Sequence, residues 1–228
     1  MGGVIGAMSP KFIIKAGMLF LSARLDTHSV QAVLNPAEPV TTISVELARR
    51  IGLMSSKSNE TQFVHKELLG IDRSELRLNS VRIASQPKNA QITIGLDLLA
   101  QVSLFLDFEH NRLKLVRQSN QGLLQKNPIS QVTRNMVVTA TTVSDRGCLS
   151  MSGKNSKGQP ISIGLSDMSA TSRLTNDYIR VYINSTTFLV KEVDRSSTRC
   201  DSDFTLIWSG FASRRVLLDL PHQRLWFS

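Results

Sequence analysis

Apolar residues recur along most of the chain at every second position, in short runs bounded by turn residues. That is the period of half-buried strands and not of helices. Residues 18–25, 30–34, 75–83, 91–94, 102–108 and 112–116 form one series of β-branched or aromatic-rich runs. Residues 135–143, 160–165, 179–183, 187–193, 204–208, 216–220 and 224–227 form a second. One segment departs from the pattern: Val45, Leu47, Ala48 and Ile51 fall at helical spacing. Ser44 can cap the open N–H groups of the first turn and Gly52 can end the last, so one short helix is expected there. Residues 118–133 are polar, interrupted by Gly122 and Pro128, and predict a linker between two halves, 1–117 and 134–228.

The two halves end alike. Asp107-Phe108-Glu109-His110-Asn111-Arg112-Leu113 and Asp219-Leu220-Pro221-His222-Gln223-Arg224-Leu225 share Asp, His, Arg and Leu in one register, 112 positions apart. Each sits between two apolar runs, the signature of a hairpin. Two hairpins of identical spacing closing two halves predict an internal duplication.

Composition narrows the class without naming a function. The 228 residues are 41% hydrophobic and 20% charged, which excludes disorder as the main state. No apolar run is long enough for a spanning helix. The net charge of +9 is spread evenly, with 14 basic and 10 acidic residues through Arg117 and 13 and 8 beyond it. Only 6% of residues are aromatic, so the pattern argues against nucleic acid as the main partner, which calls for a clustered footprint and stacking platforms. Cys148 and Cys200 lie 52 positions apart with no metal-ligand spacing; a disulfide and two buried thiols are both open. Lys11 and Lys15 precede a short apolar stretch, residues 16–23, which reads better as the start of an edge strand than as a targeting segment. Gly6 stands where N-myristoylation requires Ser or Thr.

Several segments of the first half carry a family likeness. A hairpin turns at Asp26-Thr27-His28, and its second strand runs into Leu34-Asn35-Pro36-Ala37-Glu38. Residues 41–53 follow with the helix, and Ile94-Gly95-Leu96-Asp97-Leu98 precedes the closing hairpin. This layout resembles the retropepsin-like and pepsin-like aspartic peptidases, whose lobes each carry a strand ending in an Asp-Thr/Ser-Gly-Ala loop, a following helix, and an apolar-Gly-x-Asp-x-Leu element. In the second half, Asp167-Met168-Ser169-Ala170-Thr171 resembles the same loop. The resemblance implies an all-β protein of two related aspartic-peptidase-like β-lobes with short helices. It also implies a cleft between the lobes that takes an extended peptide or protein segment, with no cofactor and no metal.

The departures bear on chemistry. Aspartic peptidases hold two carboxylates close enough to share a proton, one activating water and the other protonating the peptide carbonyl. Asn35 stands at the first of these positions and can do neither, because an amide does not exchange protons with its surroundings. Pro36 removes a backbone donor, and Ala37 lacks the freedom of the family's glycine. Glu38 is the nearest acid, three residues on, and is expected to point elsewhere. In the second half Ser169 replaces the glycine; if Leu174 matches Ile43, Ser166 and not Asp167 takes the acid position. No Gly-x-Asp element recurs, its place being held by residues 205–211. Asp167 has two readings, a turn or capping residue after a strand and an active-site carboxylate. Asp97, Asp107 and Asp219 are expected as turn carboxylates, the last two facing Arg112 and Arg224, and the four histidines as surface residues.

Three functions follow from these residues. One is a catalytically impaired peptidase-like protein that binds a peptide in its cleft, marked by Asn35. Another is an acid-type endopeptidase using Asp167 with an unrecognised partner acid, or two copies of Asp167 in a homodimer. The last is an interaction module whose basic surface meets an acidic partner. No nucleophile elbow, phosphate loop or zinc-helix motif is present. Compartment, and whether the chain is a monomer or homodimer, are not encoded.

Overall fold

The structure, a computed structural model, describes residues 11–53, 61–71, 74–116, 133–144, 147–166, 174–193 and 202–228. The first half runs β1 (Phe12–Lys15), β2 (Met18–Leu25), β3 (His28–Leu34), β4 (Thr42–Ile43), α1 (Val45–Arg50), β5 (Thr61–Ile71), β6 (Ser74–Ile83), β7 (Ile92–Ile94), α2 (Leu96–Leu99), β8 (Ser103–Asp107) and β9 (Arg112–Val116). The second half runs β10 (Val137–Val143), β11 (Leu149–Lys154), β12 (Pro160–Ser166), β13 (Leu174–Ile183), β14 (Thr186–Val193) and β15 (Phe204–Ile207). A 3₁₀ turn at Trp208–Phe211, β16 (Arg215–Asp219) and β17 (Arg224–Phe227) complete it. The fold is all-β with short helices, and the expected linker 118–133 lies almost wholly outside the described residues.

Alternation decides which faces are buried. In β6, Leu76 and Leu78 are buried while Glu75, Arg77 and Asn79 are exposed. The helix starts where its cap predicts, with the Ser44 hydroxyl accepting from the Leu47 N–H at 3.0 Å. Residues 18–25 are not the edge strand expected of them. β1 pairs beyond β2 through a turn at Ala16-Gly17, both at positive φ, and leaves Ile13 and Lys15 exposed on the outermost strand of that sheet. Lysine suits that place, since charge on an edge discourages further pairing.

β1 to β7 form one sheet in the order β1-β2-β3-β7-β4-β6-β5, closed into a barrel by β2–β5 pairing. Its central feature is β7, parallel to β3 and antiparallel to β4. The second sheet contains the same feature in reduced form: β15 is parallel to β12 and antiparallel to β14. β4 joins β7 to β6 in the first lobe, whereas in the second β14 meets β15 directly. The reason lies in the chain, where residues 35–60 carry β4 and α1 and only residues 167–173 occupy the corresponding interval. Leu174 therefore opens β13, the counterpart of β5, and does not match Ile43. Ser166 pairs with Ile207 as Leu34 pairs with Ile94.

The repeated hairpins make the joint between the lobes. β8 pairs with β9 with Asp107 opposite Arg112, and β16 with β17 with Asp219 opposite Arg224, the same register 112 positions apart. β8 and β16 pair antiparallel from Ser103–Asp219 to Asp107–Arg215, with Phe105 opposite Leu217 at the middle. Those two residues are equivalent in the repeat, so a local two-fold axis passes through their pair. Beside it an aromatic chain crosses the joint. Phe12 meets Phe108 edge-on at 5.2 Å, Phe108 stacks on Trp208 at 6.4 Å and lies 5.9 Å from Phe211, and Phe188 follows Phe211 at 5.6 Å and Phe227 follows Phe188 at 5.1 Å. Aromatic pairs of this kind add about 0.5–1.5 kcal/mol each beyond burial.

Candidate functional site

Asn35 follows the last paired residue of β3 and is 3% exposed. Its N–H donates to the Ile94 carbonyl at 3.0 Å, and its own carbonyl accepts from the Glu38 N–H at 3.1 Å. The side-chain Oδ1 accepts from the Ala37 N–H at 3.0 Å, so the amide folds back on its own loop. Pro36 permits this, because the one N–H it lacks is not required by the turn. Glu38 is turned away from Asn35 into an ion pair with Arg82, whose backbone N–H donates to the Thr41 carbonyl at 3.0 Å. The loop is thus held by residues that leave no carboxylate at its centre.

The Gly-x-Asp element braces the loop from below. Gly95 donates to Thr41 Oγ1 at 3.1 Å, and Asp97 Oδ1 accepts from the Thr41 hydroxyl at 2.7 Å and the Thr41 N–H at 2.9 Å. A Cβ at Gly95 would lie 2.7 Å from the Glu38 carbonyl oxygen and 2.8 Å from the Val40 carbonyl carbon, so no other residue fits without moving the loop. Asp97 is therefore a brace and not a turn carboxylate. Burial pushes its carboxyl above the ordinary value of 3.8, against the lowering effect of the Thr41 hydrogen bonds. The native state then binds its proton more readily than the unfolded chain does, and stability falls as pH rises from about 3.8. Asp97→Asn keeps an oxygen acceptor for Thr41 and is expected to flatten that fall. Urea unfolding across mildly acidic pH measures it, and an unchanged pH slope would show that Asp97 titrates alike in the folded and unfolded chain.

Lobe two approaches the same loop from two sides. Trp208, fully buried, donates its indole N–H to the Leu34 carbonyl at 3.0 Å, one residue before Asn35. By register Trp208 follows Ile207 as Gly95 follows Ile94, so the position that admits no side chain in lobe one carries the largest one in lobe two. From the other side Gly147, at φ +74°, comes so close to Pro39 that a Cβ would lie 2.4 Å from the proline Cβ. Neighbouring Cys148 is buried and disulfide-bonded. The chain's other cysteine, Cys200, lies outside the described residues.

Asp167 also lies outside the described residues, so the structure brings Asn35 to this loop without describing its intended partner. Opposite Arg112 and Arg224 in register, Asp107 and Asp219 bond histidines: His110 Nδ1 is 2.8 Å from Asp107, and His222 Nδ1 is 2.9 Å from Asp219. Asp219 further accepts from the buried Ser103 hydroxyl across the two-fold at 2.7 Å. The Asp-x-x-His spacing is thus explained by the turn's own bonds. Among the described residues Asp107, Glu109 and His110 are the one acid and histidine group close enough to suggest a cation, and they belong to that turn. Sequence reasoning did not single out Trp208 or Thr41. The only signal for Trp208 was an aromatic where the lobe-one element has glycine.

No protein-family model and no curated protein sequence matches the chain. Among solved structures, conglutin gamma, a basic 7S globulin from lupine seeds, superposes with TM-score 0.52 at 10% identity over 97% of this chain and 94% of that one. Basic 7S globulin from soybean gives TM-score 0.52 at 10% identity over 96% and 94%. At such identity the likeness is one of fold. It agrees with the all-β fold of two sheets and short helices seen in the pairing of strands.

Proposed function

We propose that this chain is a catalytically impaired, aspartic-peptidase-like protein that binds an extended peptide or protein segment between its lobes, 1–117 and 134–228. The observation that carries the reading is Asn35: an amide where the family has an acid, buried and bonded to Ala37, with the nearest acid in its own loop, Glu38, engaged by Arg82. Two-acid chemistry needs a proton shared across the axis. An amide here supplies none, while a two-lobed β-fold retains strands to which an extended segment can pair.

A specific observation keeps an active endopeptidase in view. Asp167 follows Ser166 of the Ser166–Ile207 pair just as Asn35 follows Leu34 of the Leu34–Ile94 pair. Cleavage of an unfolded protein from acidic to neutral pH separates the two readings. The natural chain and Asp167→Asn are both expected to be inactive; hydrolysis by the natural chain that Asp167→Asn abolishes would defeat the impaired reading. Asn35→Asp is expected to leave activity absent, because Pro36, Ala37 and the Glu38–Arg82 pair remain.

A further inference from the structure

β13 carries an open strand edge. On one side it pairs with β14 from Tyr178 to Ile183. On the other, among the described residues, it meets β11 at a single rung, Lys154 opposite Tyr182. From Tyr178 to Val181 alternate backbone N–H and C=O groups therefore point to a side with no partner strand among the described residues, the arrangement to which another extended chain adds. The inner face of this stretch is closed, with Val181, Phe188 and Val190 buried in the lobe-two core.

The outer face differs from an edge protected by charge alone. Its cross-strand pairs are Tyr178 with Lys191, Arg180 with Leu189 and Tyr182 with Thr187. Tyr178 is 51% and Leu189 50% exposed and Arg180 is exposed, while Lys191 is buried, its ammonium 5.0 Å from the Tyr178 ring centroid. These six described side chains bring two cations, two phenol rings and no carboxylate. Lys154 adds a cation at the rung, where it and Tyr182 line a groove of about 870 Å³. In a chain of net charge +9, this edge combines free backbone groups with apolar surface and local positive charge.

We propose that the open edge of β13 binds an extended acidic segment of a partner protein by strand addition. Side chains two apart on the added strand share a face. The segment that fits places an apolar residue beside Tyr178 and a carboxylate two positions along beside Arg180. Backbone pairing supplies affinity and the cations supply selection for acid. The site belongs to lobe two alone and does not depend on binding between the lobes.

The test uses the full chain and the eight-residue peptide Val-Thr-Glu-Thr-Val-Thr-Glu-Thr, which carries Val and Glu two positions apart on one face, with its counterpart bearing Lys for Glu. Fluorescence anisotropy at low salt measures affinity, and amide hydrogen exchange locates the contact. The expected result is binding of the Glu peptide alone, with new protection at residues 178–181. Arg180→Glu, at an exposed position, is expected to weaken that binding about tenfold while leaving the thermal melt unchanged. Equal binding of both peptides, an affinity indifferent to Arg180→Glu, or no binding at millimolar peptide would overturn the proposal. Protection confined to the Asn35 loop would also overturn it, while supporting the inter-lobe reading.

Discussion

Trp208→Ala is expected to cost about 5 kcal/mol, enough to leave much of the protein unfolded at ambient temperature, since native domains hold only about 5–15 kcal/mol. Two losses combine. Deleting a fully buried indole empties the middle of the aromatic chain between Phe108 and Phe211, a change that costs about 3–5 kcal/mol. The Leu34 carbonyl also loses its donor from the other lobe, worth about 1–3 kcal/mol when no water replaces it. Trp208→Phe separates the two, because it keeps most of the volume and removes the N–H; about 1–3 kcal/mol is expected. Urea unfolding read by far-ultraviolet dichroism gives both values, and the remaining Trp226 reports tertiary structure by fluorescence in either variant. A Trp208→Phe variant as stable as the natural chain would show that the bond to Leu34 adds nothing beyond packing.

The same residue marks the limit of what the sequence reveals. Hairpins are legible because their bonds are local: Asp107 with His110 and Asp219 with His222 are three residues apart, so the motif contains its own cause. The Ser44 cap is local in the same sense. β4, two residues long, has no period to detect, and it exists because β6 and β7 flank it. β5 begins in a polar run and gains its order from pairing along β6. The two possible matches for Leu174 have a related origin. Periodicity counts apolar residues but does not register that a strand and a helix are missing, and direct β14–β15 pairing exists only in three dimensions. At the site, Asn35 announces the loss of an acid in one letter. That Glu38 would be taken by Arg82, 44 residues away, or that Trp208 would reach Leu34 across the joint, has no local trace.

Reduction of the Cys148 disulfide is expected to cost about 4 kcal/mol, by loop closure. Cys148 is bonded, and within this chain the one other thiol is that of Cys200, 52 positions on. Closing a loop of that length removes about 4 kcal/mol of chain entropy from the unfolded state on the polymer estimate. The constraint sits where lobe two approaches the candidate site, because Cys148 follows Gly147, whose backbone lies against Pro39 of the Asn35 loop. Loosening it should therefore act twice, on global stability and on the seating of that loop. Cys148→Ser and Cys200→Ser are expected to lose the same amount, and their double variant no more, because a shared bond is lost only once. Thermal unfolding with and without dithiothreitol measures the effect, and the natural chain alone should respond to the reductant. If the two single variants differ by more than about 1 kcal/mol after allowing for packing of the buried Cys148 side chain, the bond is not the main source of their loss. A stability set by this bond also ties folding to an oxidising environment, since reduced thiols at both positions would leave the chain that much closer to unfolding.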